Sequence, residues 1–230
     1  MNKKHIIDGM KDSLPIVFGY APLGIALGIM ANAAAFAWYD MLGMSVIVFA
    51  GSSQFIGVNM ISTGAAASAI IVTAFFVNFR HFLMSTAYSP FFKNVKISTL
   101  LIMSFGITDE SFAIGINKLK HDQENATPLY FISLNTTAYL SWIIFTIIGI
   151  FLGDAIPDYE KLGLGFALNA MFIGLIALMI SDKKSVLICV LSGIGSLLLL
   201  LAGMNSWNVI IAAIVSCIIV VGIGELNGNK

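Results

Sequence analysis

Apolar residues run along the chain in stretches of about 20, the length a helix needs to cross roughly 30 Å of hydrocarbon. Candidate spans cover Leu14 to Ala35, Met41 to Ser62, Ala66 to Tyr88, Ile97 to Lys118, Leu129 to Leu152, Leu162 to Ile180, Ser185 to Ala202 and Trp207 to Gly224. The links between them are short, the longest being Lys118 to Pro128 and Gly153 to Lys161, so no soluble domain is inserted. The pattern predicts a single all-α transmembrane domain over residues 1–230, a polytopic helical bundle of seven to eight crossings with discontinuous helices.

Polar positions interrupt this pattern at three places. In a bilayer such breaks matter, because non-helical backbone survives there only when it is buried in protein or lines a wet cavity. The first is "PIVFGYAPLGIALG", where Pro22 removes a backbone hydrogen bond in mid-span with Gly19 and Gly24 beside it; the alternative is a simple packing kink. Gly24 and Gly28 also form a GxxxG pair that suits close helix contact.

The second break is "FAGSSQFIGVNMIS". Its small polar cluster Gly51, Ser52, Ser53 and Gln54 can unwind a helix and expose backbone N–H groups, the arrangement discontinuous transporter helices use to hold carboxylates. The alternative is local: the serines bond back to the preceding turn and Gln54 bonds across to a neighbouring helix. The third break is "SFGITDESFAIGI", where Gly106 and Ile107 end one half-helix and Thr108 or Asp109 caps the next. Asp109 and Glu110 then sit at membrane depth, where acids usually mark ion or proton paths; the competing reading is an interfacial turn.

Composition changes the picture from helical to membrane-embedded. Hydrophobic residues make up 58% of the chain and charged residues 10%, where a soluble domain carries about a quarter charged residues. Net charge is +0 and no long basic or acidic run appears, which excludes a nucleic-acid partner. Cys189 and Cys217 fall within apolar runs, at positions suited neither to a disulfide framework nor to metal ligation. No cofactor and no metal site is expected. The basic N-terminus is followed by a full-length span and no cleavage site, so no cleaved signal is expected. Lysines favour the cytoplasmic side. Lys3, Lys4 and Lys11 place the N-terminus inside, Lys118, Lys120, Lys183 and Lys184 fit inside links, and Asp154, Asp158 and Glu160 fit an outside loop. Lys93 and Lys96 face outward in an eight-span arrangement and are its one exception; a re-entrant segment among the first four changes that parity.

One charge remains costly. Asn78, Arg80 and His81 lie inside an apolar run, and if Pro90 marks its end, Arg80 lies about 15 Å deep at 1.5 Å per residue, too deep to snorkel easily. Its available partners at depth are Asp109 and Glu110. His81 either carries a proton or bonds a carbonyl.

The runs "SLPIVFGYAPLGIALGIMA", "MSVIVFAGSSQFIGVNMIS", "VTAFFVNFRHFLMSTAYSP" and "GITDESFAI", in that order and spacing, resemble the AzlC family, the large subunit of bacterial branched-chain amino-acid exporters. The likeness is dense in the first half, where GSSQF and NxRH are its most specific elements. The resemblance implies export of leucine, isoleucine and valine, with methionine as a further substrate, across the bacterial cytoplasmic membrane with a small AzlD-type membrane subunit. For such a substrate, Gly51, Ser52, Ser53, Gln54, Asn78 and Arg80 are the candidate binding residues, with Phe55 and Phe79 as candidate walls for the aliphatic branch. His81, Asp109 and Glu110 are candidates for proton coupling or ion pairing. Two roles stay open for Arg80, contact with substrate or neutralisation of the acids.

No Gly-rich phosphate loop is present, which makes proton coupling the economical energy source. A passive channel needs polar stripes on several helices, and the chain shows isolated breaks instead. An intramembrane hydrolase built on Ser52 or Ser53 with His81 lacks a supporting set of ligands, so the chain is not expected to be an enzyme. A non-catalytic subunit of a transport complex is the remaining alternative.

Overall fold

The computed structural model of the chain describes residues 2–155, 182–204 and 208–228, with residues 166, 169–170, 173–174, 176–177 and 180 between them. Ten α-helices and no strand lie among the described residues: α1 (Asn2–Asp12), α2 (Leu14–Ala33), α3 (Trp38–Ile47), α4 (Gly51–Ser62), α5 (Ala67–Tyr88), α6 (Ile97–Phe105), α7 (Asp109–His121), α8 (Pro128–Gly153), α9 (Lys183–Leu201) and α10 (Asn208–Gly228). Of these, α2, α5, α8 and α9 are long and apolar enough to cross a membrane. The protein is therefore an all-α, multi-pass membrane protein. More than half of the candidate span Leu162 to Ile180 falls outside the described residues, as do Asp158 and Glu160.

The chain divides into two units, Met1–Leu175 and Ile176–Lys230. In the second, α9 is capped by Asp182, whose Oδ1 accepts from the Ser185 N–H at 2.7 Å. The Asn208 amide at the start of α10 donates to Ser196 O and Oγ, both at 3.3 Å. Cys189 and Cys217 are free and exposed.

The first unit is built on the seam between α2 and α8, which run parallel: Gly24 lies against Phe145, Gly28 against Thr146 and Ile150, and Gly153 against Asn32, while Gly9 of α1 lies against Tyr130 at the start of α8. A Cβ on Gly28 would strike the α8 backbone at Thr146 and Ile150, so the GxxxG pair does set a close helix contact. Of the two readings of Pro22 the structure takes the milder, since it stays inside a continuous α2 and only two of the three sequence interruptions open the backbone.

Those two openings turn the chain back on itself. From the end of α2, α3 returns along α8, where the Tyr139 hydroxyl donates to Val46 O (3.0 Å) and the Phe49 ring meets Tyr139 edge-on at 4.8 Å. After residues 48–50 the chain reverses again into α4, so that Gln54 Nε2 donates to Ser45 Oγ at 3.0 Å and Gly57 faces Met44. Helix α5 then runs back toward the α1 end, bringing Tyr88 within 5.3 Å of Phe131. The second pair is built the same way from the opposite end. Helix α6 climbs until the Asn135 amide donates to Met103 O (3.0 Å), and α7 descends until the Lys118 ammonium sits 5.2 Å from the Tyr130 ring.

Met41 to Ser62 and Ile97 to Lys118 are thus re-entrant pairs of half-helices in place of straight crossings. At 1.5 Å per residue even the 13-residue α7 is about 20 Å long, too short to cross. The unit reads as one device used twice: a long helix followed by a re-entrant pair, α2 with α3–α4, then the inverted α5 with α6–α7. The same reversal explains the lysines. Lys93 and Lys96 now share an end with α1, Lys118 and Lys120. In the α7–α8 link, the Lys118 ammonium (2.7 Å) and the Asn125 amide (2.8 Å) hold the exposed Asp122 carboxyl below its usual range.

Candidate functional site

The apices of the two re-entrant pairs meet between α2, α5 and α8. The α4 apex comprises Phe49, Ala50, Gly51 and Ser52. Phe49 has φ 41, a left-handed conformation uncommon for a bulky side chain. Ala50 precedes α4 in extended backbone and offers no side-chain cap, so the first N–H groups of α4 face the apex uncapped. The α7 apex is closed by its own side chains: the Ser111 N–H donates to Thr108 Oγ1 (3.3 Å) and the Thr108 N–H to Ser111 Oγ (2.9 Å). Asp109 and Glu110 follow in its first turn, where the exposed N–H groups favour negative charge.

Arg80 of α5 joins the two apices. Its guanidinium pairs with Asp109 Oδ2 at 2.9 Å and donates to Ser52 Oγ at 2.5 Å, while its buried Nε has no hydrogen-bond partner. The Asp109 side chain is 7% exposed and that of Arg80 26%, so the pair is largely withdrawn from solvent and each charge lowers the burial cost of the other. The Tyr20 hydroxyl bridges Thr108 Oγ1 (2.8 Å) and Glu110 Oε2 (2.9 Å), which ties α2 to the same apex. Behind Tyr20 stands the Trp142 ring, edge-on at 5.0 Å.

A cavity of about 20 Å³ lies at the centre, lined by Gly51, Ser52, Arg80, His81, Asp109 and Glu110 together with Tyr20, Phe49, Thr108 and Trp142. That is room for one water. Six of the nine sequence candidates thus meet around one space. The other three stand behind it. Gln54 is fully buried and both ends of its amide are engaged, donating to Ser45 Oγ and accepting from Trp142 Nε1 at 2.8 Å. The Ser53 hydroxyl donates back to Ala50 O at 3.1 Å. Asn78 Oδ1 is buried without a partner, and the Asn78 carbonyl lies 3.1 Å from His81 Nδ1.

The expected apolar walls are corrected. Phe55 is buried in the core away from the cavity, and Phe79 is 46% exposed on the outer face of α5, its ring beside Phe75 and Phe82. The apolar side chains that line the cavity are instead Phe49, Leu23 and Trp142. The sequence reading missed Tyr20 and Trp142. Both carried a signal: Tyr20 sits between Gly19 and Pro22, and Trp142 lies deep in an apolar span instead of at its interfacial ends, where tryptophan is usual. Among the described residues no group of His, Cys, Asp and Glu could hold a metal ion.

The chain is similar to known membrane proteins along most of its length. It is 30% identical over 211 residues to the inner membrane protein YgaZ of Escherichia coli (strain K12), covering 90% of this chain and 84% of that protein. An uncharacterized membrane protein of Archaeoglobus fulgidus is 29% identical over 170 residues, 73% of each chain. The branched-chain amino acid transport protein AzlC of Bacillus subtilis (strain 168) is 26% identical over 162 residues, 70% of this chain and 62% of that protein. No solved structure gives a significant match. The profile of the AzlC protein family matches residues 15–156, a stretch that holds both re-entrant apices, Arg80 and Trp142, and the chain belongs to the AzlC family.

Proposed function

We propose that this chain exports branched-chain amino acids from the bacterial cytoplasm by proton-coupled secondary transport, together with a small AzlD-type membrane subunit. Family membership supports a transport role, and the name of the Bacillus subtilis relative supports the substrate class. The observation that carries the reading is the Arg80 bridge between the two apices. A zwitterionic substrate needs a cation or N–H donors for its carboxylate, an acid for its ammonium, and an apolar wall for its branch. Arg80 with the uncapped start of α4, Asp109 with Glu110, and Leu23 with Phe49 offer these three within one cavity.

A water-sized cavity cannot hold leucine, so this conformation is closed and the apices must separate for substrate to bind. A bound zwitterion replaces the bridge, its carboxylate on Arg80 and its ammonium on ionised Asp109, and protonation of Asp109 removes the ammonium's partner and releases the substrate. Proton and substrate thus compete for one carboxylate, the relation by which an inward proton gradient drives substrate outward. The side carrying Lys11, Lys93, Lys96, Lys118 and Lys120 is the cytoplasmic face of the inner membrane, which puts the N-terminus in the cytoplasm.

The test is counterflow of radiolabelled leucine and valine into proteoliposomes holding the chain, with and without the small subunit and with an imposed pH gradient. Saturable flux that responds to the gradient is expected. Absence of flux under every condition would sink the proposal.

A further inference from the structure

A second cavity, of about 310 Å³, opens between the last turn of α5, the turn Ser89–Phe91 and α6. It is more than ten times the size of the central one and reaches the lower end of the range of small-molecule sites, about 300–1,000 Å³. Its walls divide by chemistry. Leu100 and Met103 give an apolar side, Ser85 and Ser104 bring hydroxyls, and Lys93 brings an ammonium that makes no salt bridge among the described residues.

Two elements connect this cavity to the central one. Along α5, Arg80, Met84 and Tyr88 share one face at four-residue spacing; Arg80 lines the central cavity, Tyr88 lines the second, and Met84 is buried between them. At the α7 apex, Ile107 lines the second cavity and the next residue, Thr108, lines the first. Met84 and Ile107 are the buried apolar side chains that stand between the two spaces.

We propose that the larger cavity is a vestibule that binds an aliphatic amino acid before it reaches the central site. The Lys93 ammonium receives the carboxylate, the Ser85 and Ser104 hydroxyl oxygens accept from the substrate ammonium, and Leu100 and Met103 receive the branch. The assignment rests on the transport reading above. It adds a second, separate binding position, and a place for substrate to wait while the central site is closed.

The experiment uses the full chain with Cys189→Ala, Cys217→Ala and Ser104→Cys, probed with a water-soluble thiol reagent in proteoliposomes. Leucine slows labelling of position 104, and it still does so when Arg80→Ala or Asp109→Asn disables the central site; either variant serves if the other fails to fold. Lys93→Gln, a change at an exposed position, raises the leucine concentration needed for half-protection about threefold, the scale of a solvent-accessible ion contact. If the wild-type chain transports leucine but leucine leaves labelling unchanged, the vestibule falls and the transport reading stands. Protection that vanishes in a folded Arg80 or Asp109 variant also overturns the vestibule, because leucine then acts through the central site alone. If the wild-type chain neither transports leucine nor is protected by it, both readings fall together.

Discussion

The two apices occupy equivalent positions in an inverted pair of motifs, yet they solve the problem of an exposed helix start in opposite ways. At α7, Thr108 and Ser111 cap each other's N–H groups and two carboxylates sit in the first turn. At α4, a strained Phe49 and an alanine lead into Gly51 and Ser52, and no side chain caps the helix. One apex is closed and acidic; the other is open, neutral and rich in donors. Arg80 stands between them because it can serve both, as counter-ion to Asp109 and as donor to Ser52. A site for a zwitterion needs this asymmetry, whereas two identical apices would offer the substrate only one sign of partner.

Removing the bridge should have the largest effect. Arg80→Ala leaves Asp109 buried without its cation, and breaking such a pair costs about 3 kcal/mol, the low end of the range for full burial because a quarter of the arginine side chain is exposed. Leucine flux should be lost and unfolding in detergent should shift accordingly. Adding Asp109→Asn should recover much of the stability and none of the flux. Additive losses in the double variant would show that the two side chains do not act as a pair.

Next come the glycines that let each apex approach its neighbour. A Cβ on Gly106 would lie 2.7 Å from Asn135 Cβ, while one on Gly51 would lie 3.0 Å from the rim of the Trp142 ring. Asn135 is held through its amide by Met103 O, so it has little room to retreat. Gly106→Ala should therefore cost about 2 kcal/mol and Gly51→Ala about 1 kcal/mol, both as overpacking. Equal costs would mean that the two apices are equally tight.

These contacts show where sequence reasoning reached and where it stopped. The span lengths, the two polar clusters and the costly Arg80 are local features of composition and spacing, and they located six residues that do meet. The reversal of direction was not local. Met41 to Ser62 and Ile97 to Lys118 have the length and hydropathy of crossings, and only tertiary pairs such as Gln54 with Ser45 and Lys118 with Tyr130 reveal that each folds back. Pro22 could not be decided from sequence, because whether a single missing N–H opens a helix depends on its packing, here tight along α8. Tyr20 and Trp142 escaped because an aromatic residue in an apolar span resembles ordinary core.

Gln54 sharpens the comparison further, since it anchors the open apex from behind. Gln54→Leu keeps the volume but leaves Trp142 Nε1 without its acceptor in a buried site, a loss of about 1–2 kcal/mol. We expect stability to fall while the leucine concentration at half-maximal flux stays near its original value, because the Gln54 amide does not line the cavity. A large rise in that concentration would place Gln54 in contact with substrate after all.

The smallest expected change in stability tests the asymmetry most directly. Ala50→Ser places a hydroxyl where an N-cap belongs, and a serine cap is worth about 0.5–1 kcal/mol over alanine. By the folding criterion this variant should be better than the original chain. By the transport criterion it should be worse, because the N–H groups it satisfies are those offered to a carboxylate, and the added oxygen is itself an acceptor facing a negative charge. A chain that unfolds later yet binds leucine more weakly would show that the bare α4 start is kept for the substrate at the expense of stability. If binding is unchanged, the carboxylate is received by Arg80 alone, and the contrast between the apices belongs to folding and not to recognition.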